Sequence, residues 1–208
     1  MRIIRAADRT VTEIVREVAA CVRSSGTVIF PTETVYGIGC APEDARAIDA
    51  VFTAKGRSAD KPLALHVADV RAAVPYVDAL TECARRAMGT LWPGPVALIV
   101  ARTPQRYERA ACGLDTISLR CPDDDLCMAI LRETGPLAAT SANRSGLSAY
   151  DGSSEDAAAL PEATLAVLAG PTKLRRESTI VDCTGETPVI VREGVVPAER
   201  ILQALGTP

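Results

Sequence analysis

The sequence predicts an α/β layered domain built around a largely open sheet. Short apolar runs alternate along the chain with segments in which apolar residues recur at helical spacing. The chain has 208 residues, of which 48% are hydrophobic, and this is enough for one domain with a sizeable core. We therefore expect a single domain over residues 1–208, with its core at about 8–203.

The first predicted elements are a strand, a helix and a second strand. Residues 2–5 fit a short strand. Thr10 and Glu13 have the spacing of a capping box, and the apolar residues that follow predict a helix at 11–23. Pro31 ends the next apolar run, so residues 28–30 are predicted to form a short buried strand.

The same signals predict the remaining elements. A helix fits residues 43–54, because Ile48, Val51 and Phe52 share one side of it. Further helices are predicted at 69–75, 81–90, 123–134 and 198–205. Further strands are predicted at 63–67, 96–101, 116–120, 137–140, 164–168, 179–183 and 188–192. Residues 141–154 are small and polar, and we expect them to form a loop.

Composition and charge argue against several classes of protein. No apolar run approaches the roughly 20 residues needed to span a bilayer, and residues 1–8 contain no signal-peptide core. The seven cysteines include no C-x-x-C pair, which argues against structural zinc and indicates reduced thiols. The net charge of −3 does not favour a large nucleic-acid-binding surface. We therefore expect a cytoplasmic protein.

Two polar loops follow buried strands, where ligands bind in open sheets of this kind. Residues 31–37 (PTETVYG) place hydroxyls, a carboxylate and a phenol in one turn, although a turn stiffened by Pro31 and Gly37 could use the same residues. Residues 140–146 (TSANRSG) offer hydroxyl and amide groups. They could hold a phosphate or an amino-acid carboxylate, or form a polar surface turn.

A third loop is rich in cations. Lys55, Arg57 and Lys61 fall within seven residues, and phosphates are commonly bound by such Arg and Lys side chains. A cation that complements a helix dipole would explain Lys55 but not the other two, which lie beyond the predicted helix. The segment lacks the G-x-x-x-x-G-K-S/T pattern of a Walker A loop.

Three further side chains are candidates for a site. His66 is the only histidine and lies in an apolar strand, where a buried structural role is the alternative. Arg120 and Arg192 each end an apolar strand, and they could be solvated or could converge with Arg57 on a cationic pocket. A single histidine excludes a His-rich metal centre, and G-x-S-x-G is absent, so no metal site and no covalent nucleophile is indicated.

Taken together, these segments resemble the YrdC/Sua5 family. The matching pieces occur in the family's order between about residues 26 and 200: 31–39 (PTETVYGIG), 55–57 (KGR), 61–63 (KPL), 92–95 (WPGP), 118–122 (SLRCP), 139–143 (ATSAN), 145–146 (SG), 178–182 (STIVD) and 192–194 (REG). Each piece alone is weak, but the ordered set is specific. The resemblance implies a twisted mixed β-sheet with flanking helices that encloses a large basic cavity.

The resemblance also implies an activity, which is ATP-dependent synthesis of L-threonylcarbamoyl-AMP from L-threonine, bicarbonate and ATP, with release of pyrophosphate. This is the first step of threonylcarbamoyladenosine modification of tRNA, and the product would pass to a tRNA threonylcarbamoyl transferase complex. Mg²⁺ would arrive with ATP, without a dedicated protein cage.

The family's site residues carry over by position. Lys55 and Arg57 would be catalytic. Threonine or its carbamate would be held by Thr34, His66, Arg120, Thr140 and Ser178. ATP would be surrounded by Lys55, Arg57, Lys61, Thr116, Ser141, Ala142, Asn143 and Arg192.

The resemblance has departures and leaves alternatives. Ser58 stands where Pro is common, Cys40 where Ala is common, and residues 146–152 are less like the family. Longer relatives add a C-terminal domain, so the chain looks like the short form. A related carbamoyl-adenylate chemistry is a second enzyme hypothesis. From a different class, a non-catalytic module that binds double-stranded RNA or tRNA, or a nucleotide, would need the cations but not the hydroxyl-rich threonine loop.

Overall fold

The computed structural model describes residues 1–58, 60–154 and 159–206, so residues 207 and 208 of the expected domain lie outside the described part. Within these ranges, ten strands form one sheet in the order β1-β8-β2-β3-β7-β4-β6-β5-β9-β10. The strands are β1 (Arg2–Arg5), β2 (Val28–Phe30), β3 (Gly37–Cys40), β4 (Ala64–His66), β5 (Val96–Ala101), β6 (Thr116–Arg120), β7 (Leu137–Ser141), β8 (Leu165–Leu168), β9 (Thr179–Asp182) and β10 (Val189–Arg192).

The sheet is flanked by helices, and most of them begin at a side-chain cap. The helices are α1 (Val11–Arg23), α2 (Ala45–Lys55), α3 (Val70–Ala73), α4 (Glu82–Leu91), α5 (Glu108–Ala111), α6 (Asp125–Thr134) and α7 (Ala198–Ala204). The predicted capping box of Thr10 and Glu13 is present, and Asp44 accepts a hydrogen bond from the N–H of Ala47. Such caps stabilise a helix by about 1 kcal/mol each. No helix in the described ranges is long and apolar enough to cross a membrane.

Both parallel and antiparallel pairs occur in the sheet, as predicted. β4 pairs with β6 and β5 with β9 in parallel, whereas β3 pairs with β7 and β5 with β6 in antiparallel. A mixed α/β sheet with flanking helices therefore confirms the predicted fold class.

The two faces of the sheet are covered differently. On one face, α2, α4, α5 and α7 bury the inward side chains of the central strands, such as Leu65, Leu98 and Leu119. On the other face, α1 packs against α6 near β1, β8 and β2, and Val18, Phe30 and Ile130 are buried there. The cavity described below lies on this second face, over the strands from β3 to β10 in the sheet order.

One strand was not predicted. Gly37–Cys40 reads as the end of a turn because two of its four residues are glycines, but it forms β3, buried between β2 and β7. A Cβ on Gly39 would lie 2.8 Å from the carbonyl oxygen of Ala138 and 2.9 Å from the Cβ of Ala139. Glycine is required here by the close approach of β7, a tertiary contact that strand propensity does not report.

Smaller differences have local causes. The helix predicted at 69–75 ends at Ala73 and continues as a 3-10 turn at Val74–Tyr76, which contains Pro75. The predicted loop 141–154 begins one residue late, because Ser141 pairs with Gly37 as the last residue of β7.

Candidate active site

A cavity of about 390 Å³ lies over the sheet, between β3 and the edge strand β10. Its floor is built from alternate residues of neighbouring strands, because successive side chains of a strand point to opposite faces. His66 of β4 is in register with Arg120 of β6, and Ala64 is in register with Ser118. The volume is within the range of small-molecule binding sites.

The walls carry more positive than negative charge. Among the lining residues that the structure describes, the cations are Arg57, Lys61, Arg120 and Arg192, and the carboxylates are Asp60 and Glu177. The cavity is therefore basic, and its charge does not follow from the net charge of −3 of the whole chain. Clustered Arg and Lys side chains of this kind suit a polyanion such as a triphosphate.

Arg57 is held at one side of the cavity by the loop that follows α2. Its Nε donates to the carbonyl oxygen of Lys61 and its Nη2 to that of Pro62, both at 2.9 Å. The left-handed backbone of Gly56, with φ of 58°, ends the helix and turns the chain into this loop. Arg57 is thus fixed at the wall with the rest of its guanidinium edge available to a ligand.

Arg192 faces the cavity from the sheet edge. Its Nη1 lies 3.0 Å from Oε2 of Glu177, and its Nη2 donates to the carbonyl oxygen of Ser178 at 2.8 Å. Because both partners of the ion pair are about 42% exposed, the pair contributes little to stability. An arriving anion could displace the Glu177 carboxylate from Arg192 at low cost.

Lys55 is not among the residues that line the cavity. Its ammonium group donates to the carbonyl oxygens of Ser141 and Asn143 and to Oδ1 of Asn143, and the residue is 3% exposed. Three donors therefore meet three protein acceptors, and the loop after β7 is built around the lysine. Burial and the nearby charge of Arg57 lower the pKa of Lys55 to about 8.

The opposite end of the cavity combines a buried arginine with hydroxyl groups. Nη2 of Arg120 donates to Oγ1 of Thr34 at 2.7 Å and lies 2.9 Å from Oε1 of Glu33. Oγ1 of Thr32 lies 2.9 Å from Oγ1 of Thr34 and donates to the carbonyl oxygen of Val35. This polar end suits a small ligand with a carboxylate and a hydroxyl group.

His66 lines the same end and is neutral at physiological pH. Burial, supplemented by repulsion from Arg120, lowers its pKa to about 3. Its ring packs edge-on against Phe30, with centroids 6.0 Å apart. Nδ1 makes no hydrogen bond within the described part of the chain. A neutral imidazole donates a hydrogen bond at one nitrogen and accepts one at the other, and it does not repel a cationic amine.

The structure brings together most of the residues implied by the resemblance. The predicted threonine residues that line the cavity are His66, Arg120, Thr140 and Ser178, whereas Thr34 lies directly behind Arg120. The predicted ATP residues that line it are Arg57, Lys61, Ser141 and Arg192. Lys55, Thr116, Ala142 and Asn143 are not among the lining residues. The binding roles stay predictions.

Other polar residues line the cavity that the sequence reasoning did not single out. Ser118 lies two positions before Arg120, on the same face of β6, and Glu177 directly precedes Ser178. The strand period of two, counted back from Arg120, could have found Ser118. No such signal exists for Glu177, whose place depends on the pairing of β9 with β10 and on the ion pair with Arg192.

The carboxylate, thiol and imidazole side chains are the groups of this chain that could bind a metal ion. Within the described residues, no group of three or more His, Cys, Asp or Glu side chains is placed to hold a metal ion. The carboxylates of Asp60 and Glu177 line the cavity beside the cations. One or two carboxylates next to a phosphate site are the kind of surroundings in which Mg²⁺ is bound together with a nucleotide.

The chain is similar in sequence to known proteins. The Sua5/YciO/YrdC family model, described as telomere recombination, matches residues 20–194. A Bacillus subtilis protein named threonylcarbamoyl-AMP synthase is 35% identical over 195 residues, which are 92% of this chain and 56% of that protein. A Mycobacterium tuberculosis relative is 36% identical over 186 residues, which are 89% of this chain and 86% of that protein.

A solved structure is also similar. The crystal structure of Pyrococcus abyssi Sua5 complexed with L-threonine matches with a TM-score of 0.88 and 31% identity, over 99% of this chain and 60% of that chain. This chain thus spans less than two thirds of the length of the Bacillus and Pyrococcus proteins, and most of the mycobacterial one.

Proposed function

The chain belongs to the Sua5/YciO/YrdC family, and on that premise we propose that it synthesises L-threonylcarbamoyl-AMP from L-threonine, bicarbonate and ATP, releasing pyrophosphate. The proposal extends to this chain the activity named for the Bacillus relative and the threonine bound by the Pyrococcus protein. The product would be consumed in the cytoplasm by a transferase complex that modifies tRNA.

One observation carries the proposal, which is that two different anion sites share one cavity. Arg57, Lys61 and Arg192 form a cationic side suited to a triphosphate. Arg120, backed by Thr34, forms a second site near His66, suited to the carboxylate of an amino acid. A module that only bound RNA or a nucleotide would need the first site and would have no use for the second.

The geometry supports catalysis by positioning and electrostatics. The unprotonated amine of threonine forms a bond to the carbon of CO2, or of bicarbonate with loss of water, and gives a carbamate. A carbamate oxygen then attacks the α-phosphorus of ATP, the bond from that phosphorus to the bridging oxygen breaks, and pyrophosphate leaves. Arg57, Lys61 and Arg192 would neutralise charge that builds up on the departing pyrophosphate.

The neutral state of His66 fits this order of events. An imidazolium would repel the ammonium of incoming threonine, whereas the neutral ring can accept a hydrogen bond from the amine. The low pKa of His66 also makes the ring a weak base.

Mg²⁺ belongs to the proposal as a partner of ATP. Glu177 and Asp60 are the cavity carboxylates that would approach it. When bound with ATP, the ion would supply positive charge that stabilises the leaving pyrophosphate. The protein's own part is to hold the triphosphate with Arg57 and Arg192 and to fix the carbamate near the α-phosphorus.

The proposed activity is tested by adding the substrates separately and together. Purified protein is incubated with ATP and Mg²⁺, with threonine and bicarbonate added singly and together, quenched quickly, and assayed for pyrophosphate and for the adenylate by mass spectrometry. Pyrophosphate release that requires both additions, together with an adenylate carrying carbamoylated threonine, is expected. A folded protein that binds nucleotide or RNA and releases no pyrophosphate would replace the proposal with the binding module.

A further inference from the structure

Glu33 is an acidic side chain buried where a charge is costly. The residue is 3% exposed, and neither carboxylate oxygen has a hydrogen-bond partner within the described residues. Among the described residues, its close charged contact is Nη2 of Arg120, which lies 2.9 Å from Oε1 without the alignment of a hydrogen bond. A carboxylate so poorly satisfied is a feature for which a fold needs a reason.

Arg120 is incompletely satisfied as well. Within the described ranges, five buried side-chain polar atoms have no hydrogen-bond partner, and four of them belong to Glu33, His66 and Arg120. His66 and Arg120 are paired in register on neighbouring strands, so these atoms belong to one cluster at the polar end of the cavity. Unsatisfied buried groups that collect beside a cavity indicate a ligand site more than a stabilising contact.

The backbone of the Glu33 turn is fixed from behind. The carbonyl oxygen of Glu33 accepts from the N–H of Leu174 at 2.8 Å, and that of Thr34 accepts from Oγ1 of Thr172 at 2.7 Å. Glu33 itself does not line the cavity, whereas Arg120 does. Any effect of Glu33 on a ligand in the cavity would therefore pass through Arg120.

We propose that Glu33 is a positioning residue for the amino-acid substrate: its buried carboxylate, together with the Thr34 hydroxyl, fixes Nη2 of Arg120 and leaves the rest of the guanidinium edge presented to the substrate carboxylate. The inference rests on the proposed function, because it takes the amino acid as the ligand of Arg120. A bidentate grip on a carboxylate depends on the orientation of the guanidinium plane, which one hydroxyl alone would not fix.

The first variant is Glu33→Gln, which keeps the shape of the side chain and removes its charge. Calorimetric titration with L-threonine is expected to show a dissociation constant raised at least tenfold, and the KM for threonine should rise with it while the KM for ATP changes less than twofold. Asp115→Asn is the matched control, because Asp115 is an exposed carboxylate 4.0 Å from the buried Arg102, away from the cavity.

A second ligand separates positioning from general damage. L-Threoninol lacks the carboxylate, so its weaker binding to wild-type protein should be nearly unchanged in Glu33→Gln. Equal losses for threonine and threoninol, or no loss for threonine, would overturn the inference. If Glu33→Gln does not fold, Glu33→Asp gives the same test, because it retains the charge and withdraws it by one methylene group.

A failure of the inference about Glu33 can be told apart from a failure of the proposed function. Wild-type protein that binds no threonine and makes no adenylate would refute the function itself. Wild-type protein that binds threonine, with Glu33→Gln binding it equally well, would refute only the role of Glu33.

Discussion

The ammonium group of Lys55 donates to both oxygens of Asn143, to Oδ1 at 3.0 Å and to the carbonyl at 2.7 Å. The lysine also binds the carbonyl of Ser141, and its own carbonyl accepts from the N–H of Ser145. The family resemblance implies that Lys55 contacts ATP, and that contact stays a prediction. In the structure the lysine is the centre of the loop from Ser141 to Ser145, and that loop borders the cavity through Ser141.

Replacing Lys55 by Ala should therefore abolish turnover without unfolding the domain. Loss of the loop geometry should lower kcat/KM for ATP by at least about 100-fold, which corresponds to about 3 kcal/mol of transition-state stabilisation. Steady-state pyrophosphate release and circular dichroism check the two parts. Lys173→Ala, at an exposed lysine outside the cavity lining, is the control.

The pKa of Lys55 predicts opposite effects of alkaline pH on stability and on ATP binding. Because the pKa is lowered to about 8 from an ordinary value of 10.5, the unfolded chain binds more protons between these values, and this residue's contribution to the free energy of unfolding rises with pH there. Neutral Lys55 has two N–H groups for three acceptors, so ATP affinity should fall above about pH 8. ATP affinity and the free energy of unfolding, each measured from pH 7 to 9.5, check the two effects. The ATP affinity of Lys55→Met should show no such fall.

Arg57→Ala should remove turnover, and Arg57→Lys should not restore it. The guanidinium uses two of its N–H groups on the carbonyls of Lys61 and Pro62, and only a planar fork can do so and still face a phosphate. We expect a loss of at least about 100-fold in kcat/KM for ATP in both variants. Arg71→Ala, on the exposed side of α3, should behave as wild type. Normal turnover in Arg57→Ala would contradict the pocket assignment.

His66 should stay neutral across the physiological range. With the pKa lowered to about 3, the unfolded chain binds the extra proton between about pH 3 and 6.5, so stability is lost as pH falls through that window. The chain has one histidine, so its imidazole NMR signal is unambiguous in a tag-free sample. Chemical shifts that are flat from pH 5 to 8 are expected, and a midpoint near 6.5 would show that the ring is not buried as described.

Gly194→Ala should destabilise the protein and disturb the cavity. The new Cβ would lie 2.3 Å from the carbonyl oxygen of Glu177 and 2.4 Å from that of Ser178, and overpacking of this kind costs roughly 1–3 kcal/mol. Each kcal/mol should lower Tm by about 2–4 °C. Gly89→Ala is the matched control: its Cβ meets no atom within 4 Å inside α4, and alanine should be neutral or stabilising there. Equal melting temperatures for the two variants would contradict the described contact.

Local signals accounted for the elements that were predicted well. α1, β5 and β6 have the predicted bounds, because a capping box and uninterrupted apolar periodicity act within a few residues of each other. β3 was missed, because its glycines are selected by contact with β7.

The candidate site was predictable only in part, because contacts between residues far apart in the sequence arrange its side chains. The cations of Arg57 and Arg192 are visible in the sequence. The hydrogen-bond partners of the Lys55 side chain lie 86 and 88 positions away along the chain. The side-chain partners of Arg120 lie 86 or more positions away. The direction in which these two side chains point could therefore not be inferred from the sequence. The family resemblance supplied the residue types of the site, and the structure separates those that border the cavity from those that support it from behind.

The residues that line the cavity are spread along most of the chain, from Thr32, just after β2, to Arg192, at the end of β10. No short fragment of the chain therefore carries both proposed anion sites, and many long loops must close before their residues meet. Ligand affinity should develop late in folding, after β10 has paired with β9, and more slowly than the helix content. A chain still being synthesised would have no complete binding site until Arg192 has been added and folded into place.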